Sequence, residues 1–431
     1  MAVLRARRPG MVFTVGVLVG SGLSLLVRPP GLVALAIATA CLWPWDDAVA
    51  RRLDALGLGG GTRRTVGSAI LVMAGGANLA LGGQLDGHLM YRGDFQTYYV
   101  GAQVGLRHGW ALIFDQGLLR PLWIAAFAHR APFIPYLNTP PQAWLVAPLA
   151  LLPFPAAFAA WVTLMSAATV LAVLLVSPPG WPARAAYSLA GMSLWVLAYS
   201  LAGGQNAVVG ALALVLCWRL LRAGRPGWAG IALSLIIVRP NATFLVPAAL
   251  LVAGQRRIFV TWLGASLVVG GVVLVSLGPA GVRQFLELGA EIRRTHPGAV
   301  TMTVAYILGD GPAGGAVSII LAAAALLVAR RAGPHHPDVA IAAGLLASVF
   351  LTPYIHIQDF LCLVAGAAIV ARSTFRGSFG VVAVALLVAA PPGYLFGPSW
   401  PVLLLGVEVA WLGWSAWALT RPPSTPAADR G

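Results

Sequence analysis

The chain has no lysine, and only thirteen acidic residues and three cysteines among its 431 residues. Each scarcity narrows what the protein can be. Charged residues are 10% of the chain and hydrophobic ones 59%, with a mean hydropathy of +0.84, which excludes a soluble globular domain and marks an integral membrane protein. Cys41, Cys217 and Cys362 each lie inside an apolar run at no metal-ligand spacing, so no disulfide framework or cysteine metal site is expected. HExxH, EF-hand and Walker sequences are missing as well, so neither a metal nor a nucleotide site is supported and no cofactor is expected. Alternating segments of about ten residues are also lacking, which favours helices over an outer-membrane barrel.

What remains is hydrocarbon and arginine. Residues 65–83, 156–176 and 259–277 are almost continuously apolar. At ~1.5 Å per residue such runs cross a hydrocarbon core of roughly 30 Å. The net charge of +15 does not indicate a nucleic-acid partner, because the arginines gather where apolar runs end. Arg5, Arg7 and Arg8, then Arg51, Arg52, Arg63 and Arg64, and later Arg256, Arg257, Arg330 and Arg331 read as cytoplasmic loops under the positive-inside rule. The charge is topological, and the expected surroundings are a membrane.

The pattern predicts an all-α integral membrane protein with roughly 11–14 transmembrane helices. Residues 1–60 read as an N-terminal hairpin of spans 11–27 and 31–45, followed by a core over 61–420 and a disordered cytoplasmic tail over 421–431. The 11–27 run follows arginines as a signal peptide does, but lacks a small-x-small cleavage site before Arg28 and is read as a retained span. Residues 84–139 form the first large outer loop, in which 98–109 and 118–129 are amphipathic and expected to lie on the membrane surface. The apolar stretch 140–153 is too short to cross comfortably and is expected to be re-entrant or tilted. Two further short apolar pieces, 228–238 and 242–253, are split by Arg239-Pro240-Asn241. No inverted repeat is evident.

With so few carboxylates, candidate chemistry is easily enumerated. Asp94 follows the 65–83 span in Tyr91-Arg92-Gly93-Asp94-Phe95, with Tyr98 and Tyr99 supplying an apolar wall. Such a carboxylate suits a general base acting on a hydroxyl, and it equally suits the N-cap of a helix starting at Phe95. Arg239, a guanidinium inside an apolar hairpin, either faces a polar partner such as a phosphate or snorkels to the interface. Gly203-Gly204-Gln205-Asn206 brings backbone close to a ligand while two amides bind sugar hydroxyls, or is an ordinary turn. In Thr352-Pro353-Tyr354-Ile355-His356, the imidazole can donate to a phosphate oxygen with Asp359 orienting it, or be an exposed ring on a capped turn. Glu408 is an intramembrane acid without an assigned partner.

Taken in order, these landmarks resemble the polytopic glycosyltransferases of the GT-C superfamily, in particular glycosyltransferase family 87, which includes polyprenyl-phosphate-mannose-dependent mannosyltransferases and related arabinofuranosyltransferases. The resemblance runs through Gly93-Asp94-Phe95 with Tyr98-Tyr99, Phe114-Asp115, Asn138-Thr139-Pro140-Pro141, Gly204-Gln205-Asn206, Arg239-Pro240 and Thr352-Pro353 to His356, covering roughly residues 61–420. It implies a GT-C-like helical core in the inner (plasma) membrane. A sugar of the mannose or arabinofuranose type would pass there from a polyprenyl-phosphate donor to a lipid or glycan acceptor, with the active site facing the periplasm or exterior. The family's loop aspartate would fall on Asp94 as the base. Arg239, His356, Gln205 and Asn206 would bind the donor phosphate, and Tyr98, Tyr99, Asp115, Asn138 and Asp359 the substrates. Relatives often carry lysine in the hairpin where this chain has Arg239, which keeps the charge and alters its geometry. A lipid or small-solute transporter using Arg239 and Glu408, a noncatalytic envelope-assembly scaffold, and an O-antigen-ligase-like transferase are the competing expectations.

Overall fold

A computed structural model describes residues 93–127, 132–177, 195–295, 303–309, 311–372 and 400–420. The expected N-terminal hairpin, the 65–83 span, most of the 185–201 span, the 380–390 span and the tail lie outside the described residues. Within them the chain is all-helical, and it is an all-α polytopic membrane protein. Phe154–Val176, Arg256–Glu291 and Pro312–Ala332 are long and apolar enough to cross a bilayer. Shorter apolar helices include Pro226–Val238, Pro337–Leu351 and Leu404–Leu419.

The described part of the segment expected to be an outer loop holds α1 (Phe95–His108), followed by α2 (Gln116–Phe127). Expected to lie flat on the membrane, α1 instead has ten of its fourteen residues buried, among them every residue from Phe95 to Ala102. Its first two turns are therefore enclosed by protein on all faces. The amphipathic pattern that predicted a surface helix belongs to its second half, where Arg107 and His108 complement the C-terminal dipole. Gly109, at φ 100, ends the helix in a conformation that glycine alone adopts readily.

The stretch expected to be re-entrant is α3 (Pro140–Val146) plus a 3₁₀ turn, Leu149–Leu151. It leads into the span α4 (Phe154–Val176). α5 (Trp195–Ala202) and α6 (Ala207–Arg222) follow, meeting at the 203–206 turn. The split hairpin consists of α7 (Pro226–Leu233) with a 3₁₀ extension, Ser234–Val238, and α8 (Val246–Val252). Next comes α9 (Arg256–Thr295), which is two helices joined at Gly278 (φ 59) and Pro279. Proline cannot donate the next helical hydrogen bond and glycine tolerates the positive φ, so the axis breaks there. Beyond it lie α10 (Val304–Leu308), α11 (Pro312–Ala332), α12 (Pro337–Leu351), α13 (Phe360–Ala371) and α14 (Trp400–Leu419).

The core is built around α12, of whose residues only Pro337 and Leu351 escape burial. Enclosed on every face, α12 packs against α8, α11 and α13. In turn α6 packs against α4, α7 and α13. The turns that begin α6 and α13 and end α7's 3₁₀ extension are thereby brought together, and each carries a polar side chain.

Candidate active site

The site starts from a close approach of two glycine turns. A β-carbon at Gly93 would lie 2.2 Å from the carbonyl oxygen of Gly203, and one at Gly204 would lie 2.5 Å from the β-carbon of Phe95. Neither position has room for a side chain, and Gly204 in addition sits at φ 62. The Phe95 N–H donates to the Gly203 carbonyl at 3.5 Å, and the indole N–H of Trp161 donates to the Gly204 carbonyl at 2.8 Å. Phe95 stacks on Trp161 and meets Phe158 edge-on, each with centroids 5.6 Å apart. Gly93-Asp94-Phe95 is thus seated on Gly203-Gly204, next to Gln205 and Asn206.

Asp94 occupies the N-cap position of α1 without making a side-chain capping bond. The Thr97 hydroxyl instead donates to the Asp94 backbone carbonyl at 2.7 Å. The half-buried carboxylate is left free of that structural task, and its charge acts on Arg239, Tyr98, Tyr199, Tyr354 and His356.

Arg239 is the hub. Its Nε donates to Oδ1 of Asp359 in an ion pair whose partners are 9% and 2% exposed. Its Nη1 donates to Oε1 of Gln205 at 3.1 Å and to Oδ1 of Asn206 at 3.0 Å. Three of the five guanidinium N–H groups are thereby directed, and the two on Nη2 are not among them. The other end of the Asn206 amide, Nδ2, donates to Oε1 of Gln142 at 2.7 Å. On the other side, Oδ2 of Asp359 accepts the backbone N–H of His356 at 2.9 Å, closing a capping box on the 3₁₀ turn Ile357–Asp359. Asp359 therefore orders the His356 backbone rather than its ring, which hydrogen-bonds to the Tyr354 hydroxyl through Nε2.

Burial tunes these groups. The Tyr354 hydroxyl is pushed up to about 12, first by desolvation and then by Asp94, so it keeps its proton. Desolvation lowers His356 below its ordinary value, with Arg239 acting in the same direction against Asp359 and Asp94. The Tyr98 phenol is held well above the ordinary range, by burial first and by Asp94 second.

Of the residues singled out in the sequence, Arg239, Gln205, Asn206, Asp359 and His356 form one bonded cluster, with Asp94 and Tyr98 in its electrostatic reach. The others serve elsewhere. The Tyr99 hydroxyl donates to the Leu152 carbonyl at 2.8 Å and its ring packs on Phe154. Asp115 accepts the backbone N–H groups of Gly117 and Leu118 at 2.8 and 3.2 Å, capping α2. Asn138 is half-buried, and the contact to the Arg239 hairpin is made by its neighbour Thr139, whose hydroxyl lies 3.2 Å from the carbonyls of Ile237 and Val238. Glu408 is buried in α14. Gln142 and Tyr354 are the members that sequence reasoning missed. Nothing in a proline-flanked glutamine distinguishes it from a loop residue, while Tyr354 at least stands two positions from His356.

No curated protein and no solved structure matches the chain. The sequence pattern of glycosyltransferase family 87 matches residues 136–357, just over half of it, which takes in Asn138, Gln142, Gln205, Asn206, Arg239 and His356 and leaves Asp94 and Asp359 outside. The chain belongs to glycosyltransferase family 87.

Proposed function

We propose that this membrane glycosyltransferase takes its sugar from a polyprenyl-phosphate donor and passes it to a lipid or glycan hydroxyl at the outer face of the inner membrane. The reading rests on one observation above all. Arg239 is gripped by three acceptors and lies within electrostatic reach of Asp94. A guanidinium fixed in this way keeps the two N–H donors of Nη2 to offer to phosphate oxygen. A phosphodiester-linked sugar carries its own leaving group, which agrees with the lack of a nucleotide-binding sequence.

In this mechanism the acceptor oxygen attacks the anomeric carbon while Asp94 takes the hydroxyl proton. A carbon–oxygen bond forms, and the bond from the anomeric carbon to the phosphate oxygen breaks. Its electron pair leaves with polyprenyl phosphate, whose added negative charge Arg239 stabilises. In this reading the Tyr354 hydroxyl donates to Nε2, which leaves neutral His356 with its proton on Nδ1 as a donor to the departing phosphate. One base opposite the leaving group gives inversion, so a β-linked donor yields an α product.

The test is transfer of radiolabelled mannose or arabinofuranose from polyprenyl-phosphate donors by the purified protein, wild type beside Asp94→Asn. Transfer by wild type that is lost in a stably folded variant supports the reading. Full transfer by Asp94→Asn removes the base, and failure of every donor with wild type removes the donor class.

A further inference from the structure

An asparagine amide has the same shape at both ends, so hydrogen bonding alone decides which end faces Arg239. Asn206, fully buried, presents its oxygen to the guanidinium at 3.0 Å. Turned over, it would set N–H against N–H and release one of the three grips on Arg239. Beside Arg239 itself, what holds it the right way is Oε1 of Gln142, the acceptor for Asn206 Nδ2 at 2.7 Å. Gln142 is itself fully buried. It projects from the first turn of α3, just after Thr139, whose hydroxyl reaches the carbonyls of Ile237 and Val238 immediately before Arg239. The Tyr136 hydroxyl ties the same segment by donating to the Thr139 carbonyl at 2.8 Å. The segment that carries Gln142 is therefore tied to the arginine hairpin through the Thr139 hydroxyl as well as through the amides.

We infer that Gln142 is a positioning residue for donor binding. It sets the orientation of Asn206 and, through it, the guanidinium edge that receives the donor phosphate, without touching substrate. The inference rests on the phosphate reading of Arg239. Gln142 Nε2 has no partner among the described residues, so the bond to Asn206 is what orients the Gln142 amide. Asn206 is held from both ends, by Gln142 and by Arg239, and loses one of its two anchors when Gln142 is removed. The relay runs from α3 through the turn that begins α6 to the α7–α8 hairpin.

The experiment compares Gln142→Leu, Asn206→Ala, their double variant, and Gln142→Glu, which keeps an acceptor oxygen in place. Donor KM and kcat are measured with saturating acceptor, together with displacement of donor by farnesyl phosphate and thermal unfolding without donor. Gln142→Leu is expected to raise donor KM and weaken farnesyl phosphate about tenfold while changing kcat less than about threefold. The double variant is expected to be no worse than Asn206→Ala alone, and Gln142→Glu to recover most of the loss. A fall in kcat at unchanged donor KM, or effects that multiply in the double variant, overturns the inference. If wild type neither uses a polyprenyl-phosphate donor nor binds farnesyl phosphate, the donor reading falls, and the unfolding data then judge Gln142 alone. Shifts in Tm that fail to add keep its positioning role, and additive shifts remove it. Should Gln142→Leu not accumulate, Gln142→Asn, whose amide stops short of Asn206, takes its place with the same expected and overturning results.

Discussion

Asp359 holds Arg239 with one carboxylate oxygen and the backbone N–H of His356 with the other. A single buried side chain thus fixes both the cation of the cluster and the backbone from which its imidazole projects. Breaking a buried ion pair by removing one partner strands the other charge, at a cost of about 3–5 kcal/mol. Asp359→Asn and Arg239→Met are each expected to lower unfolding stability on that scale. The double variant Arg239→Met with Asp359→Leu is expected to regain much of it, since an apolar pair carries no desolvation penalty. Transfer activity should be lost in all three. Unfolding in detergent micelles beside an activity assay separates the two effects, and equal stability of all four proteins would contradict the pairing.

Asp94 offers the opposite signature. Replacing a capping aspartate by alanine ordinarily costs about 1 kcal/mol. Because the Asp94 carboxylate makes no capping bond, Asp94→Ala is expected to change stability by less than about 0.5 kcal/mol. Asp115→Ala, which removes two backbone-directed bonds at α2, is expected to cost the full amount while sparing transfer. A larger loss at residue 94 than at 115 would return Asp94 to the capping role.

How much of this was legible depended on whether the signal was local. Asp94 stood out because carboxylates are rare, and Arg239 because a cation amid apolar residues needs a partner. The apolar run ending at residue 277 stopped one position before the Gly278 break. What the sequence withheld was pairing across distance. Arg239 and Asp359 are 120 positions apart, and Asn206 and Gln142 are 64 apart. Nothing in either local pattern says which partner the fold selects. The reading of α1 as a surface helix failed for a related reason. The pattern over 98–109 is amphipathic, yet tertiary packing encloses Tyr98 through Ala102.

His356 makes stability depend on pH in a defined direction. Burial lowers its pKa below the ordinary 6.5, against the pull of Asp359 and Asp94. Above the unfolded value both states hold a neutral ring and His356 contributes no slope. As pH falls below it, the unfolded chain takes up a proton that the folded site resists, and stability declines. Unfolding measured from pH 7.5 down to about 5 should show this decline, with His356→Gln flattening that part of the profile. An unchanged profile in the variant would assign the slope to other groups.

The Gly204 turn tests whether the position of Asp94 depends on the glycine contact. A β-carbon there meets the β-carbon of Phe95 at 2.5 Å, and φ 62 is unfavourable for any other residue. Gly204→Ala therefore has to push α1 away or distort the start of α6, at about 1–3 kcal/mol. Either movement separates Asp94 from Arg239, which α6 holds through Gln205 and Asn206. Transfer is thus expected to fall by far more than the loss of folded protein explains. Gly224→Ala is the control. Its φ of 71 is equally strained, but no atom lies within 4 Å of the added carbon, so the backbone cost is shared and the collision is not. Activity per folded molecule should drop in Gly204→Ala and hold in Gly224→Ala. Equal behaviour of the two would mean that the distance between Asp94 and Arg239 is set elsewhere.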